Sequence, residues 1–87
     1  MAWTLDYDAL ARRQLRKLPK NVGDRIVSVL ETISATENPR LKGDAMSGSY
    51  AGHWRYRVGD YRVIACLIDN RMIVQVVALG HRREVYR

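Results

Sequence analysis

At 87 residues the chain is long enough for one hydrophobic core and too short for two, so one domain spanning residues 1–87 is expected. With 15 Lys and Arg against 9 Asp and Glu, the formal net charge is +6, a balance that points to nucleic acid, an acidic membrane surface or an acidic protein partner. A single cysteine, Cys66, excludes an intrachain disulfide and suits a reducing compartment, so a cytoplasmic location is expected.

Trp3, Leu5 and Tyr7 alternate with Thr4 and Asp6, which predicts a short first strand. Asp6, Asp8, Arg12 and Arg13 break up the N-terminus and leave no apolar core for a signal peptide. Asp8 can cap a helix in which Ala11, Leu15 and Leu18 form an apolar stripe, with Arg12, Arg13, Arg16 and Lys17 around the rest and Pro19 at its end. Asn21 is expected to cap a second helix whose stripe is Val22, Ile26, Val29, Leu30 and Ile33. From Asn38 to Ser49, Pro39, Gly43 and Gly48 interrupt any periodicity, so an irregular crossover is expected.

Three strands follow, near 50–58, 61–68 and 72–79, giving an antiparallel meander. The uncharged run Met72 to Gly80 is too short to cross a bilayer as a helix, and no membrane association is expected. In the tail after Gly80, only Val85 carries an obvious core commitment.

The excess charge lies in the second half. Residues 50–87 hold seven arginines, no lysine and three acids. Trp54-Arg55-Tyr56-Arg57-Val58 and Tyr61-Arg62-Val63 alternate on either side of Gly59-Asp60, which predicts a two-residue hairpin loop. Pairing outward from that loop sets Arg57 opposite Arg62, and side chains two apart share a face, so Arg55, Arg57 and Arg62 project together, away from Trp54, Tyr56 and Val58. A two-residue loop in the second hairpin, at Asp69-Asn70 or Asn70-Arg71, puts Ile73, Gln75, Val77 and Leu79 on the arginine side and Met72, Val74, Val76 and Ala78 on the other. The helices are expected to cover the Trp54 face.

Arginines on a sheet face are ordinarily solubilising charge, but like charges placed side by side cost stability. Their convergence therefore points to a polyanion, with phosphate the usual partner of a planar guanidinium. Arg82 and Arg83 follow Gly80, where the chain can turn to close over the same face, and Tyr86 supplies a phenol. His53, His81 and Cys66 lack metal-site spacing, so neither metal nor cofactor is expected. With no phosphate loop, no Ser/His/Asp set and no paired carboxylates, cations and a phenol must carry any chemistry.

As a set, Trp3-Thr4-Leu5-Asp6-Tyr7-Asp8, Leu15-Arg16-Lys17-Leu18, Pro39-Arg40, Lys42-Gly43, Trp54 to Val58, Asp60 to Val63 and Leu79 to Tyr86 resemble the RelE toxins of the RelE/ParE toxin-antitoxin superfamily over nearly the whole chain. The resemblance implies an α+β fold of order β-α-α-β-β-β, a helical hairpin on a mainly antiparallel four-stranded sheet. It implies a metal-independent endoribonuclease, an mRNA interferase that cuts message in the ribosomal A site by attack of the 2′-hydroxyl, leaving a 2′,3′-cyclic phosphate and inhibiting translation. The implied partners are mRNA, the ribosome and a cognate RelB-like antitoxin in a hetero-oligomeric complex.

By position in the family pattern, the resemblance implies a catalytic set of Arg55, Arg57, Arg62, Arg82 and Tyr86. Arg12, Arg13, Arg16, Lys17, Lys20 and Arg83 are the expected RNA-binding residues. The founding pattern has lysines where this chain has Arg55 and Arg57, and arginine does not give up its proton in a protein. Either Tyr86 serves as base, or catalysis rests on positioning and electrostatics. The alternatives are a ParE-type DNA gyrase inhibitor and a non-catalytic RNA- or ribosome-binding module on the same fold.

Overall fold

A computed structural model describes residues 3–86. The chain runs β1 (Thr4–Tyr7), α1 (Ala9–Arg16), α2 (Lys20–Ser34), β2 (Asp44–Ala45), β3 (Trp54–Val58), β4 (Tyr61–Ile68) and β5 (Ile73–His81), with 3₁₀ turns at Pro39–Lys42, Gly48–Tyr50 and Asp69–Arg71. The sheet has five strands in the order β1-β5-β4-β3-β2. β1 pairs with β5 in parallel and the other neighbours are antiparallel. This is the expected α+β arrangement with one more strand than the four expected. The fifth strand, β2, lies in the crossover, where two residues pair with β3 without any alternation to reveal them.

The two helices lie on the Trp54 face of the sheet. Ala11 of α1 and Ile26, Leu30 and Ile33 of α2 are buried against Tyr56, Val58, Val63, Ala65, Val74, Val76 and Leu79. Helical spacing therefore builds one side of the core and strand alternation the other.

Both expected helix caps differ in detail. Asp8 stands at the N-cap of α1, but its side chain makes no capping bond; its carboxylate accepts from the Gln75 amide instead. The second helix begins one residue before Asn21, with Pro19 at its N-cap. Proline supplies a fixed φ there without a capping side chain.

The first strand of the meander starts at Trp54, not near residue 50, because Gly48–Tyr50 forms a 3₁₀ turn and Gly52 has φ +90°. The β3–β4 hairpin has the expected register, with Val58 opposite Tyr61 and Arg57 opposite Arg62. Gly59 takes φ +59°, the first-position geometry that favours glycine in a tight hairpin turn.

The turn between β4 and β5 is four residues long, closing on the pair Ile68 and Ile73, with Met72 left-handed at φ 53°. An even number of loop residues keeps Ile73 and Gln75 on the arginine side and Val74 and Val76 on the core side, as expected. A bulge then reverses the remainder. Ala65 pairs with Val76 but Ile64 pairs with Ala78, leaving Val77 as the extra residue. Leu79 therefore enters the core, whereas Ala78 and Gly80 stand opposite Ile64 and Arg62 on the arginine side. The expected places of Ala78 and Leu79 are thus exchanged.

Candidate active site

Arg55, Arg57 and Arg62 occupy the sheet face opposite the helices, at registers set by the β3–β4 hairpin. Arg55 is more enclosed than Arg57, their side chains 29 % and 60 % exposed. Asp44 of β2 is the direct register partner of Arg55. Its Oδ2 lies 3.4 Å from Arg55 Nη2 and 3.7 Å from Arg57 Nε, so one carboxylate oxygen faces two guanidinium groups.

The other two arginines gather at the hairpin turn. Arg62 Nη1 donates to the carbonyls of Gly59 and Tyr61, both at 2.9 Å. The Arg82 backbone N–H donates to the Asp60 carbonyl at 2.8 Å, which ties the end of β5 to the same turn. Its Nε lies 3.9 Å from Asp60 Oδ1. Both contacts hold Arg82 to Asp60 of the turn, while the exposed Arg83 follows it, its backbone N–H bonded to His81 Nδ1.

The tail then folds back. Glu84 and Val85 donate to the His81 carbonyl at 2.8 and 3.0 Å, and Val85 is buried close to Gly80. That single turn brings Tyr86 to the Arg55 end of the face. Its ring meets Tyr50 edge-on, with centroids 6.0 Å apart, and Tyr50 meets His53 likewise at 6.1 Å. The Tyr86 hydroxyl beside the guanidinium is the largest influence holding the Arg55 pKa above the usual arginine value; partial burial opposes it and Asp44 adds to it. Arg55 Nε is buried without a hydrogen-bond partner among the described residues.

A cationic face with a phenol at one end and partly unfilled donors can bind a phosphodiester and stabilise charge that develops on its oxygens. The model of the family described as ParE toxin of type II toxin-antitoxin systems matches residues 5–86. The chain is 30 % identical over 89 aligned positions to the mRNA interferase toxin RelE of Escherichia coli strain K12, covering 99 % of this chain and 92 % of that one. The chain belongs to the RelE/ParE family, as a RelE-type toxin.

Toxin RelG of Mycobacterium tuberculosis is 28 % identical, over 100 % of this chain and 99 % of that protein. Among solved structures, the RelBE2 toxin-antitoxin complex of M. tuberculosis superposes with a TM-score of 0.86 at 26 % identity, covering 97 % of this chain and 95 % of that one. A free E. coli RelE mutant superposes with a TM-score of 0.78 at 27 % identity, over 99 % and 92 %.

In this RelE-type toxin the basic helix residues Arg12, Arg13, Arg16, Lys17 and Lys20 lie in the helical layer, across the sheet from the arginine face. Arg12 is engaged locally, donating to the Tyr7 carbonyl at 3.0 Å and approaching Asp6 at 3.3 Å. Lys20 pairs with Asp24 at 2.7 Å. Lys17 borders a cavity of about 430 Å³ between α1 and the tail, with Gln14, Tyr61 and His81. Sequence reasoning missed Asp44, Tyr50 and His53. Nothing local marks Asp44, because its role arises from pairing with a strand eleven residues later. Among the described residues, no three His, Cys, Asp or Glu side chains gather as a metal site, and no helix is long and apolar enough to cross a membrane.

Proposed function

We propose that this toxin is a ribosome-dependent endoribonuclease that cuts mRNA in the A site and so inhibits translation. The observation that carries this reading is the gathering of Arg55, Arg57 and Arg62 on one sheet face, with Arg82 and Tyr86 brought to its two ends by the tail. The mRNA interferase name of the E. coli relative supports it.

The RNA's own 2′-oxygen attacks the adjacent phosphorus, the new bond closes a 2′,3′-cyclic phosphate, and the bond to the 5′-oxygen breaks. Arg62 and Arg55 hold the non-bridging oxygens, where preorganised donors act most strongly. Arg82 stabilises the departing 5′-oxygen until it takes a proton from water. Tyr86 stacks on a splayed base and brings its hydroxyl, already beside Arg55, towards the 2′-hydroxyl, whose proton passes to solvent water. Arg57 stays charged and acts by position and field. No metal enters this scheme.

The helix cations Arg12, Arg13, Arg16, Lys17 and Lys20, in the layer across the sheet from the cut, and Arg83 in the tail serve as contacts to RNA. A RelB-like antitoxin is the neutralising partner in a hetero-oligomeric complex, and the cytoplasm is the place of action. The related M. tuberculosis structure is itself a toxin-antitoxin complex.

Primer extension on a translated message after induction of the protein tests the proposal. Cuts within A-site codons are expected; intact message overturns it. The family model's ParE description favours a second reading, a DNA gyrase inhibitor. Stabilised gyrase cleavage complexes with intact RNA would select that reading, and salt-sensitive RNA binding without any cut would select a non-catalytic module.

A further inference from the structure

β2 brings one charged side chain to the sheet, Asp44, and sets it directly opposite Arg55. Arg55 and Arg57 project from the same face of β3 two residues apart, where like charges repel. The single Oδ2 of Asp44, at 3.4 Å from one and 3.7 Å from the other, draws both heads towards a common point.

The segment that delivers this carboxylate is firmly anchored. The buried Tyr56 hydroxyl donates to the Pro39 carbonyl at 3.0 Å. Arg40 makes two bonds to the Asp69 carboxylate, at 2.8 and 2.7 Å. Gly43 passes so close to β3 that a Cβ there would lie 2.6 Å from the Tyr56 ring and 2.8 Å from the Arg55 carbonyl oxygen. Beyond Asp44, Met46 donates to the His53 carbonyl at 3.1 Å. A two-residue edge pairing is marginal alone; these anchors fix it on both sides.

We propose that Asp44 is a positioning residue of the cleavage site. Its carboxylate orients Arg55 and Arg57 towards one phosphodiester. The inference rests on the endoribonuclease reading. Asp44 acts through the two arginines and forms or breaks no bond itself. Removing its charge while keeping its shape therefore has opposite effects on binding and turnover. The site gains one unit of positive charge and binds RNA at least as well, but its guanidinium groups are no longer preorganised for the transition state.

The test is Asp44→Asn in the full-length toxin, assayed on ribosomes programmed with message. The expected result is a kcat lowered roughly ten- to a hundredfold, with KM unchanged or lower and an unaltered thermal transition. Asp44→Glu, which retains the charge on a longer arm, should recover part of the rate. Wild-type kcat in Asp44→Asn overturns the inference, and so does a lower kcat accompanied by a raised KM and a lowered Tm, the pattern of an edge strand that only supports the fold. Wild-type protein that leaves message intact removes the endoribonuclease reading and this inference together, whereas wild type and Asp44→Asn cutting equally fast removes the inference alone.

Discussion

Arg57 and Arg62 are direct partners across the β3–β4 hairpin, one register position from its turn. Two positive charges so opposed destabilise a strand pair by about 0.2–1 kcal/mol, and the Arg57 contact with Asp44, 60 % and 55 % exposed, offsets little of that. Arg57→Thr should therefore stabilise the fold, by about 0.5 kcal/mol in chemical denaturation, while cleavage of ribosome-bound message falls. A variant that loses both stability and cleavage would show that Arg57 is held for packing.

Arg62 carries a larger share of the proposed chemistry. Its present partners are carbonyls of its own turn, which a phosphate can displace at little cost to the fold. Arg62→Ala should lower the cleavage rate by about 100- to 1000-fold, the usual effect of deleting one transition-state donor. Its thermal transition should stay close to wild type. Unchanged cleavage would remove Arg62 from the site.

Much of this face is legible in the chain itself. Gly59-Asp60 fixed the hairpin register, and alternation then assigned Arg55, Arg57 and Arg62 to one side, because a tight turn leaves few ways to pair its flanks. Parity survived the β4–β5 turn because four loop residues, like two, preserve it. It failed at Val77, since Val76-Val77-Ala78-Leu79 is apolar throughout and no polar residue marks where an extra one enters. Asp44 and Tyr50 were invisible for another reason: both acquire their neighbours through contacts distant in sequence, from a segment without periodicity.

Tyr86 offers two separable contacts, its ring on Tyr50 and its hydroxyl beside Arg55. Tyr86→Phe keeps the first and deletes the second, so its cleavage rate should fall by about tenfold, as for loss of one proton-handling or orienting group. Tyr86→Ala should lose considerably more, because stacking goes as well. Equal rates for the two variants would mean that the ring contributes nothing.

Gly43 has no room for a side chain, with Tyr56 ring atoms at 2.6 and 2.9 Å from a built Cβ and the Arg55 carbonyl at 2.8 Å. Gly43→Ala must push β2 off β3, at a cost of about 1–3 kcal/mol as for other overpacked sites. Because the displaced residue next in line is Asp44, cleavage should fall along with stability. Solvent exchange of the Met46 amide, bonded to His53, should quicken in the same variant. A protected Met46 amide would show that the strand absorbs the methyl without moving.

Tyr56 links the core to the crossover and gives the fold an alkaline limit. Burial is the main cause that pushes its phenol up from 10.0 to about 12, with Arg40 opposing. Below about pH 10 both folded and unfolded chains keep this proton, and the contribution to stability is complete. Between about pH 10 and 12 the unfolded chain ionises first, so unfolding is favoured as pH rises, by roughly 2 kcal/mol over the interval. Tyr56→Phe removes the titration but also the bond to Pro39, so the variant should start about 1–3 kcal/mol less stable near neutrality. Other titrating groups, including Tyr7 with its own pKa raised by burial and Glu31, act alike in both proteins. The gap between their denaturation curves should therefore close as pH climbs through that interval, and a gap that stays constant would place the Tyr56 hydroxyl in contact with water.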